Sequence, residues 1–185
     1  MTRTIVASIE GEYRRYKTLA DEAIAQLDTD QLNARLADSD NSIATIVTHM
    51  SGNLRSRFSD FLASDGEKPW RDRDREFVPG TGARDELLET WNEGWRTLFG
   101  ALAQLGDADL ARTVTIRAVP LPVLDALHRS LAHASYHVGQ IVYVAKSLRG
   151  DRWRYLSIPP GQSEAFRASP SLERALNHER GKAKP

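Results

Sequence analysis

Cysteine is absent from this chain of 185 residues. Its absence excludes disulfide bonds, thiolate metal ligands and cysteine nucleophiles, so any thiol that the protein uses must come from another molecule. A surplus of either charge is also missing, because 25 basic and 25 acidic side chains give a formal net charge of zero. Dedicated nucleic-acid-binding domains are usually basic, so the charge balance predicts that nucleic acid is not a partner.

Long apolar runs are lacking as well. No stretch of the sequence approaches the ~18 apolar residues that span a bilayer, and charges from Glu10 onwards interrupt the first segment before a secretory signal can form. These absences predict a soluble, cytoplasmic protein without a membrane partner. The apolar share of 41% and the charged share of 27% are typical of a single folded domain of this length.

Apolar residues recur at three- and four-residue steps in four segments, and this spacing predicts four long amphipathic helices. The predicted helices run from Thr4 to Leu27, from a cap within 38–42 to Phe61, from 81–84 to Leu102, and from a first-turn proline, Pro122, to Gly150. Four such helices predict an all-α protein, a four-helix bundle over residues 1–170. The polar residues 171–185 predict a C-terminal tail.

Two predicted connections, Asp65–Gly80 and Asp151–Ser171, are longer than a bundle requires. Structureless loops above ~12 residues are usually functional or disordered, and a tryptophan in each predicts that both are pinned to the body of the protein. The acidic residues Asp72 and Asp74 are interpreted as solvated rather than catalytic. The alternation in Thr113–Val119 predicts an extended connector or one half of a small β-ribbon.

Three of the five histidines occupy comparable positions on two of the predicted helices. His133 and His137 are four residues apart, so their rings project from one face of the fourth helix. At about 100° per residue, His49 takes the same position at the edge of the second helix's apolar face. If these helices are neighbours, three imidazoles and water can form an open metal site. A single histidine at the edge of a core is more often a packing residue, so the pattern leaves both interpretations open for the three. It places His128 and His178 at the surface.

Other chemistries lack their motifs. The sequence has no Glu-x-x-His pair of a carboxylate di-iron bundle and no His-Glu-x-x-His. A phosphate-binding loop, a dinucleotide fingerprint and a nucleophile elbow are also missing.

The segments around these histidines resemble the DinB/YfiT-like superfamily of metalloenzymes, and come nearest to a bacterial branch classed as a domain of unknown function. The likeness covers roughly residues 5–167 and is carried by Thr48–Arg57, Asp65–Arg71, Arg75–Phe77, His133–Val142 and Leu156–Ser163. It implies a homodimer of four-helix bundles in up-down-down-up order. It also implies a divalent ion, nickel or zinc in relatives, held by His49, His133 and His137.

Members of that superfamily include thiol-dependent transferases and a thiol-dependent maleylpyruvate isomerase, in which a low-molecular-weight thiol binds near the metal. The resemblance therefore implies a transferase-like or hydrolase-like enzyme that acts on a small molecule through metal-bound water or thiolate. An alternative is a non-catalytic, stress-associated binding protein whose metal is structural or absent. A third hypothesis makes dimerisation through exposed apolar helix faces the main role.

Several polar and aromatic residues are candidates for the surroundings of the metal. Asn53 and Gln140 lie one turn from a histidine and are candidates to orient the imidazoles. Candidates for the pocket mouth are Trp70, Trp153 and Gln162. Arg55 and Arg57 are candidates to meet an anionic substrate. Each also has a plain alternative as a surface amide, a loop anchor or a solvated arginine.

Overall fold

Within residues 2–78 and 81–169, the part of the chain that the computed structural model describes, the protein is mostly helical. Four long and two short helices occur there: α1 (Thr4–Ile24), α2 (Thr29–Asn33), α3 (Ile43–Phe58), α4 (Arg84–Ala103), α5 (Val123–Arg149) and α6 (Ser163–Ala168). A two-stranded sheet is formed by β1 (Thr113–Ile116) and β2 (Val119–Pro122). Turns of 3-10 helix lie at Arg75–Phe77, Asp107–Ala111 and Gly150–Arg152.

Local signals set the ends of the helices that matter for the site. The Ser42 side chain accepts a hydrogen bond from the Thr45 N–H at 3.1 Å and so begins α3. Gly150 ends α5 with a φ of 55°, which a residue without a Cβ adopts at little cost. The predicted long helices are confirmed, and α2 and α6 are additional elements that are too short to show in the apolar spacing.

Three predicted helix boundaries need correction. The first helix ends at Ile24 rather than at Leu27. The helix that carries His49 ends at Phe58 rather than at Phe61, because Ser59 is extended and Asp60 takes a left-handed φ of 49°. Pro122 precedes the first turn of α5 instead of lying in it, because it is still paired with Thr113 across the small sheet.

The four long helices share a hydrophobic core among the described residues. Helix α3 packs mainly against α4, helix α1 packs mainly against α5, and a contact between α3 and α5 joins the two pairs. Tyr13, Trp91 and Trp95 are buried at the centre, where their rings meet edge to face. The contact between α3 and α5 brings together the two helices that carry the candidate histidines.

The extended segment Thr113–Val119 was open to two predictions, a connector or one half of a small β-ribbon. The structure shows the β-ribbon. Ile116 pairs with Val119, so the turn consists of Arg117 and Ala118, which have left-handed φ angles of 56° and 60°. Such turns usually contain Asn-Gly, because non-glycine residues are strained in this conformation. Here the Asp65 carboxylate accepts hydrogen bonds from both N–H groups, at 2.9 and 2.7 Å, and holds the turn.

Two further predictions concern the C-terminal tail and the membrane. The C-terminal tail predicted over residues 171–185, with His178, lies outside the described residues. Among the described residues, no helix combines the length and apolar character that crossing a membrane would require.

Candidate metal centre

Three histidine side chains converge where α3 meets α5. The Nε2 atom of His133 lies 3.2 Å from Nε2 of His49 and 3.2 Å from Nε2 of His137. The three potential ligand atoms all lie within 4.8 Å of one another. Two ligands on a tetrahedral zinc ion at ~2.0–2.1 Å are about 3.3–3.4 Å apart. The spacing of the nitrogens therefore fits three ligands of a single ion.

The outer nitrogens of two imidazoles are held by oxygen acceptors. His49 Nδ1 lies 2.9 Å from Oε2 of Glu76, and His137 Nδ1 lies 2.7 Å from Oε1 of Gln140. The Gln140 amide is oriented in turn, since its Nε2 donates to the Tyr136 hydroxyl at 3.2 Å. An oxygen acceptor places the proton on Nδ1, so Nε2 of both histidines presents a lone pair to the centre. This is the tautomer that binds a metal through Nε2.

The third histidine is held differently. His133 Nδ1 is buried and has no hydrogen-bond partner among the described residues. Burial, and then the nearby His137 and His49, lower the pKa of His133 to about 3. Burial also lowers the pKa of His137, against the hydrogen bond with Gln140, which raises it. A proton on His133 Nε2 can form a hydrogen bond with Nε2 of either His49 or His137 but not with both. A divalent cation, in contrast, accepts a lone pair from all three nitrogens. The donor set therefore fits a divalent metal.

Glu76 is the functional residue that sequence reasoning missed. Its carboxylate accepts hydrogen bonds from Arg71 Nε at 2.8 Å and from Arg71 Nη2 at 2.9 Å, in addition to the one from His49. Burial by itself would raise the pKa of Glu76, but the hydrogen bonds from His49 and Arg71 and the charge of Arg71 hold it below the ordinary value. The group is therefore a buried carboxylate that fixes the orientation of His49.

Gly52 makes room for this carboxylate. A Cβ atom at position 52 would overlap Oε1 of Glu76 and would lie 2.8 Å from its Cδ. A glycine inside a helix lowers helix stability by about 1 kcal/mol relative to alanine, and it often marks a close approach. Gly52 in the middle of α3 is thus the sequence feature that indicates that a side chain from elsewhere packs against this helix.

A cavity of about 410 Å³ opens beside the three histidines. Its wall includes Asn53 and Arg57 from α3 and Tyr136 from α5. Asn53 makes no hydrogen bond to an imidazole among the described residues, so Gln140 is the amide in contact with the histidines. Arg55 points elsewhere, since its guanidinium lies over the Trp70 ring at 5.2 Å and pairs with Glu93 at 3.3 Å.

The structure does not bring the three loop residues proposed for the pocket mouth to this cavity. Trp70 is 53% exposed and contacts Arg55 instead. Trp153 lines a separate groove beside the C-terminal part of α5, and Gln162 is exposed just before α6. The second long loop is held there because Gln26 exchanges hydrogen bonds with the backbone of Arg154, at 3.0 and 2.8 Å. Loop docking of this kind depends on partners that are distant along the chain, so it leaves no periodic pattern in the sequence.

Comparison with known proteins gives a family and a fold. The sequence model of the family described as "Protein of unknown function (DUF1572)" matches residues 1–162. No curated protein matches the chain. Among solved structures, the chain is similar to the "conserved protein of locus from Enterococcus faecalis", with 16% identity, a TM-score of 0.59 and coverage of 82% of this chain and 100% of that one. At this identity the likeness shows a shared fold and nothing about activity.

Proposed function

The chain belongs to the DUF1572 family, and we propose that it is a metal-dependent enzyme acting on a small molecule, with the ion held by His49, His133 and His137. The observation that carries the proposal is the convergence of three imidazole Nε2 atoms, two of them with Nδ1 fixed by an oxygen acceptor. Packing histidines do not need three ring nitrogens within 4.8 Å of one another.

The wider relationship is part of the same proposal. Membership of the DinB/YfiT-like superfamily, with its up-down-down-up four-helix bundle and its homodimer, is supported by the shared core of the long helices and by histidines on α3 and α5. Nickel and zinc are the proposed ions because imidazole ligands suit both.

When bound, the ion would supply a Lewis acid that lowers the pKa of water or of a low-molecular-weight thiol, as transferase-like or hydrolase-like chemistry requires. The chain's own residues prepare the site. Glu76 and Gln140 hold two imidazoles in the ligating tautomer, and Arg71 keeps the Glu76 carboxylate in place. Phe77 packs against the His49 ring at a centroid distance of 4.7 Å and shields it from solvent.

The alternative, a binding protein with a structural metal, predicts a closed site with four protein ligands. Among the described residues the cluster contains the three histidines without a fourth side-chain ligand, and it adjoins a cavity. These observations favour the enzyme. Under the third hypothesis, in which dimerisation is the main role, the protein must be dimeric, and a monomer in size-exclusion chromatography would remove it.

The test is elemental analysis of the tag-free protein beside His49→Ala and His133→Ala. We expect near-stoichiometric nickel or zinc in the wild type and its loss in both variants. His128→Ala is the matched control, because His128 is an exposed histidine on α5 away from the cavity wall. It should retain the metal. A wild-type protein that binds neither ion after incubation with each would contradict the proposal.

A further inference from the structure

The cavity beside the histidines is unusually rich in arginine. Among the described residues, its wall contains no aspartate or glutamate but contains Arg57, Arg71, Arg73, Arg117 and Arg129. These residues come from α3, the loop after it, the β-turn and α5, so the fold collects them. The chain as a whole has no net charge, and the concentration of positive charge is therefore local to this cavity.

The charges of these arginines are unequally compensated. Arg71 forms an ion pair with Glu76. Arg57 and Arg117 share one carboxylate, that of Glu67, at 3.2 and 2.9 Å. Arg129 has no hydrogen bond or ion pair with any described residue. Positive charge without a partner is thus available in the wall of the cavity.

Helix geometry relates these charges to the histidines. On α5, Arg129, His133 and His137 follow one another at four-residue steps, so they lie along one face of the helix. On α3, Arg57 comes two four-residue steps after His49. Each helix therefore presents both an imidazole and a guanidinium to the same cavity, one or two turns apart.

Arg117 is held in the wall by a strained turn. It occupies a left-handed position of the β-turn where a residue with a side chain is disfavoured, and Asp65 stabilises that conformation from the facing loop. Backbone strain that the surroundings must hold in place is frequent at binding sites. The result here is a guanidinium presented at the edge of the cavity.

The remaining wall is apolar. Phe58, Phe61, Phe77 and Ile116 line the cavity together with the polar groups. The volume of about 410 Å³ falls within the range of ~300–1,000 Å³ that is usual for small-molecule sites. A ligand that matches this wall has an apolar portion as well as a negative charge.

We propose that the cavity binds a small organic anion, with a carboxylate or phosphate group held by Arg129 and the Arg57–Arg117 pair and an apolar portion against the phenylalanines. Guanidinium groups suit both anions, because their planar N–H donors form paired, charge-assisted hydrogen bonds. This inference rests on the proposed function in one respect: the anion is then the substrate whose other end faces the metal.

The test is isothermal titration calorimetry on the full chain, freed of metal with a chelating resin so that the anions cannot bind to an ion. The probes are phenyl phosphate, benzoate and the neutral benzyl alcohol, at constant ionic strength. We expect saturable binding of both anions and at least about tenfold weaker binding of the alcohol. Arg129→Gln should weaken anion binding about tenfold, since it removes a charged hydrogen-bond donor.

Arg96→Gln is the matched control, because Arg96 is an exposed arginine on α4 that pairs with Glu89 at 2.6 Å, away from the cavity wall. It should bind the anions like the wild type. Absence of saturable binding, or equal affinities in the wild type and Arg129→Gln, would overturn the inference.

Metal content, measured on the same protein preparations before the chelating step, separates the two proposals. Arg129→Gln should keep its nickel or zinc while losing anion affinity. Anion binding by a protein that takes up no metal would contradict the proposed enzyme alone. Metal binding without anion binding would contradict the anion site alone.

Discussion

His49 and His137 face the same point, but the structure holds them in two different ways. His137 is held by Gln140, which is neutral and lies three residues further along the same helix. His49 is held by Glu76, which is charged and buried, lies 27 residues away in a loop and is itself held by Arg71. The first contact forms wherever α5 forms, whereas the second requires the loop to dock on α3. The orientation of the His49 ring therefore depends on the docking of this loop, whereas that of the His137 ring depends on its own helix.

The largest expected effect comes from Glu76→Ala. The change leaves the Arg71 side chain, which is 2% exposed, without its carboxylate partner. Removing one partner of a buried ion pair costs about 3–5 kcal/mol of unfolding free energy. Loss of a residue that orients a ligating histidine also lowers metal affinity about 10–100-fold.

Urea denaturation and metal competition titration measure the two quantities. Glu89→Ala is the control, because Glu89 forms an exposed pair with Arg96 and should change neither value appreciably. A Glu76→Ala protein with the stability and the metal affinity of the wild type would show that the docked loop does not hold His49.

Gly52→Ala tests the same contact without touching its polar atoms. The added methyl group displaces the Glu76 carboxylate from the surface of α3, and overpacking of this kind costs about 1–3 kcal/mol. The expected result is a lower melting temperature and weaker metal binding. Gly100→Ala on α4 is the matched control, since a Cβ there meets nothing within 4 Å. That variant should gain up to about 1 kcal/mol of stability from helix propensity alone. Equal effects at the two positions would contradict the close approach.

Gln140→Ala tests the local contact. His137 loses the acceptor of its Nδ1 proton, so metal affinity should fall by about tenfold, at the lower end of the range for residues that orient a ligand. Stability should change by less than about 1 kcal/mol, because no charge is left unpaired. The ratio of affinity loss to stability loss is thus expected to be larger for Gln140→Ala than for Glu76→Ala. Equal ratios would remove the distinction between local and distant support.

His133 has neither kind of support, and the effect expected of it is confined to acid pH. Its pKa is lowered to about 3 in the folded protein, mainly by burial, against an ordinary value of 6.5. Between these values the unfolded chain binds a proton that the folded chain does not bind. The contribution of His133 to stability is therefore complete above about pH 6.5 and is lost as the pH falls towards 3.

Melting temperatures of the metal-free protein between pH 7.5 and 4 measure this effect. The wild type should lose stability more steeply than His133→Asn, whereas His128→Asn should follow the wild type. Identical pH profiles for the wild type and His133→Asn would contradict the expected proton linkage.

The same contrast explains how far the sequence could predict the site. The histidines and Gln140 are related by helical periodicity, so counting residues was enough to place them on one side of their helices. Glu76 is brought to His49 by the docking of a loop, which depends on Arg71 and on the missing side chain at Gly52. Trp153 and Gln162 are candidates for the cavity mouth only because they lie in a long loop, and the hydrogen bonds of Gln26 hold that loop elsewhere.

The same limit applies to the fold: long periodic helices can be predicted from the sequence, whereas short elements cannot. Four amphipathic segments carry a repeating signal over four or more turns, and their helices appear close to the expected boundaries. Helix α2, with only five residues, depends instead on a local capping box at Asp28. The strand β2 contains two prolines and shows no alternation, so only its partner β1 was visible in the sequence.

The placement of the cavity's arginines has an evolutionary consequence. The histidines lie on helices that also form the hydrophobic core, so they tolerate little rearrangement. Arg117, in contrast, lies on a β-turn, and Arg73 lies in the loop before the 3-10 turn. Substitutions in these two segments can alter the shape and charge of the cavity while the three histidines stay in place. Under the proposed function, a change in the molecule that the cavity accepts therefore requires no change in the histidines.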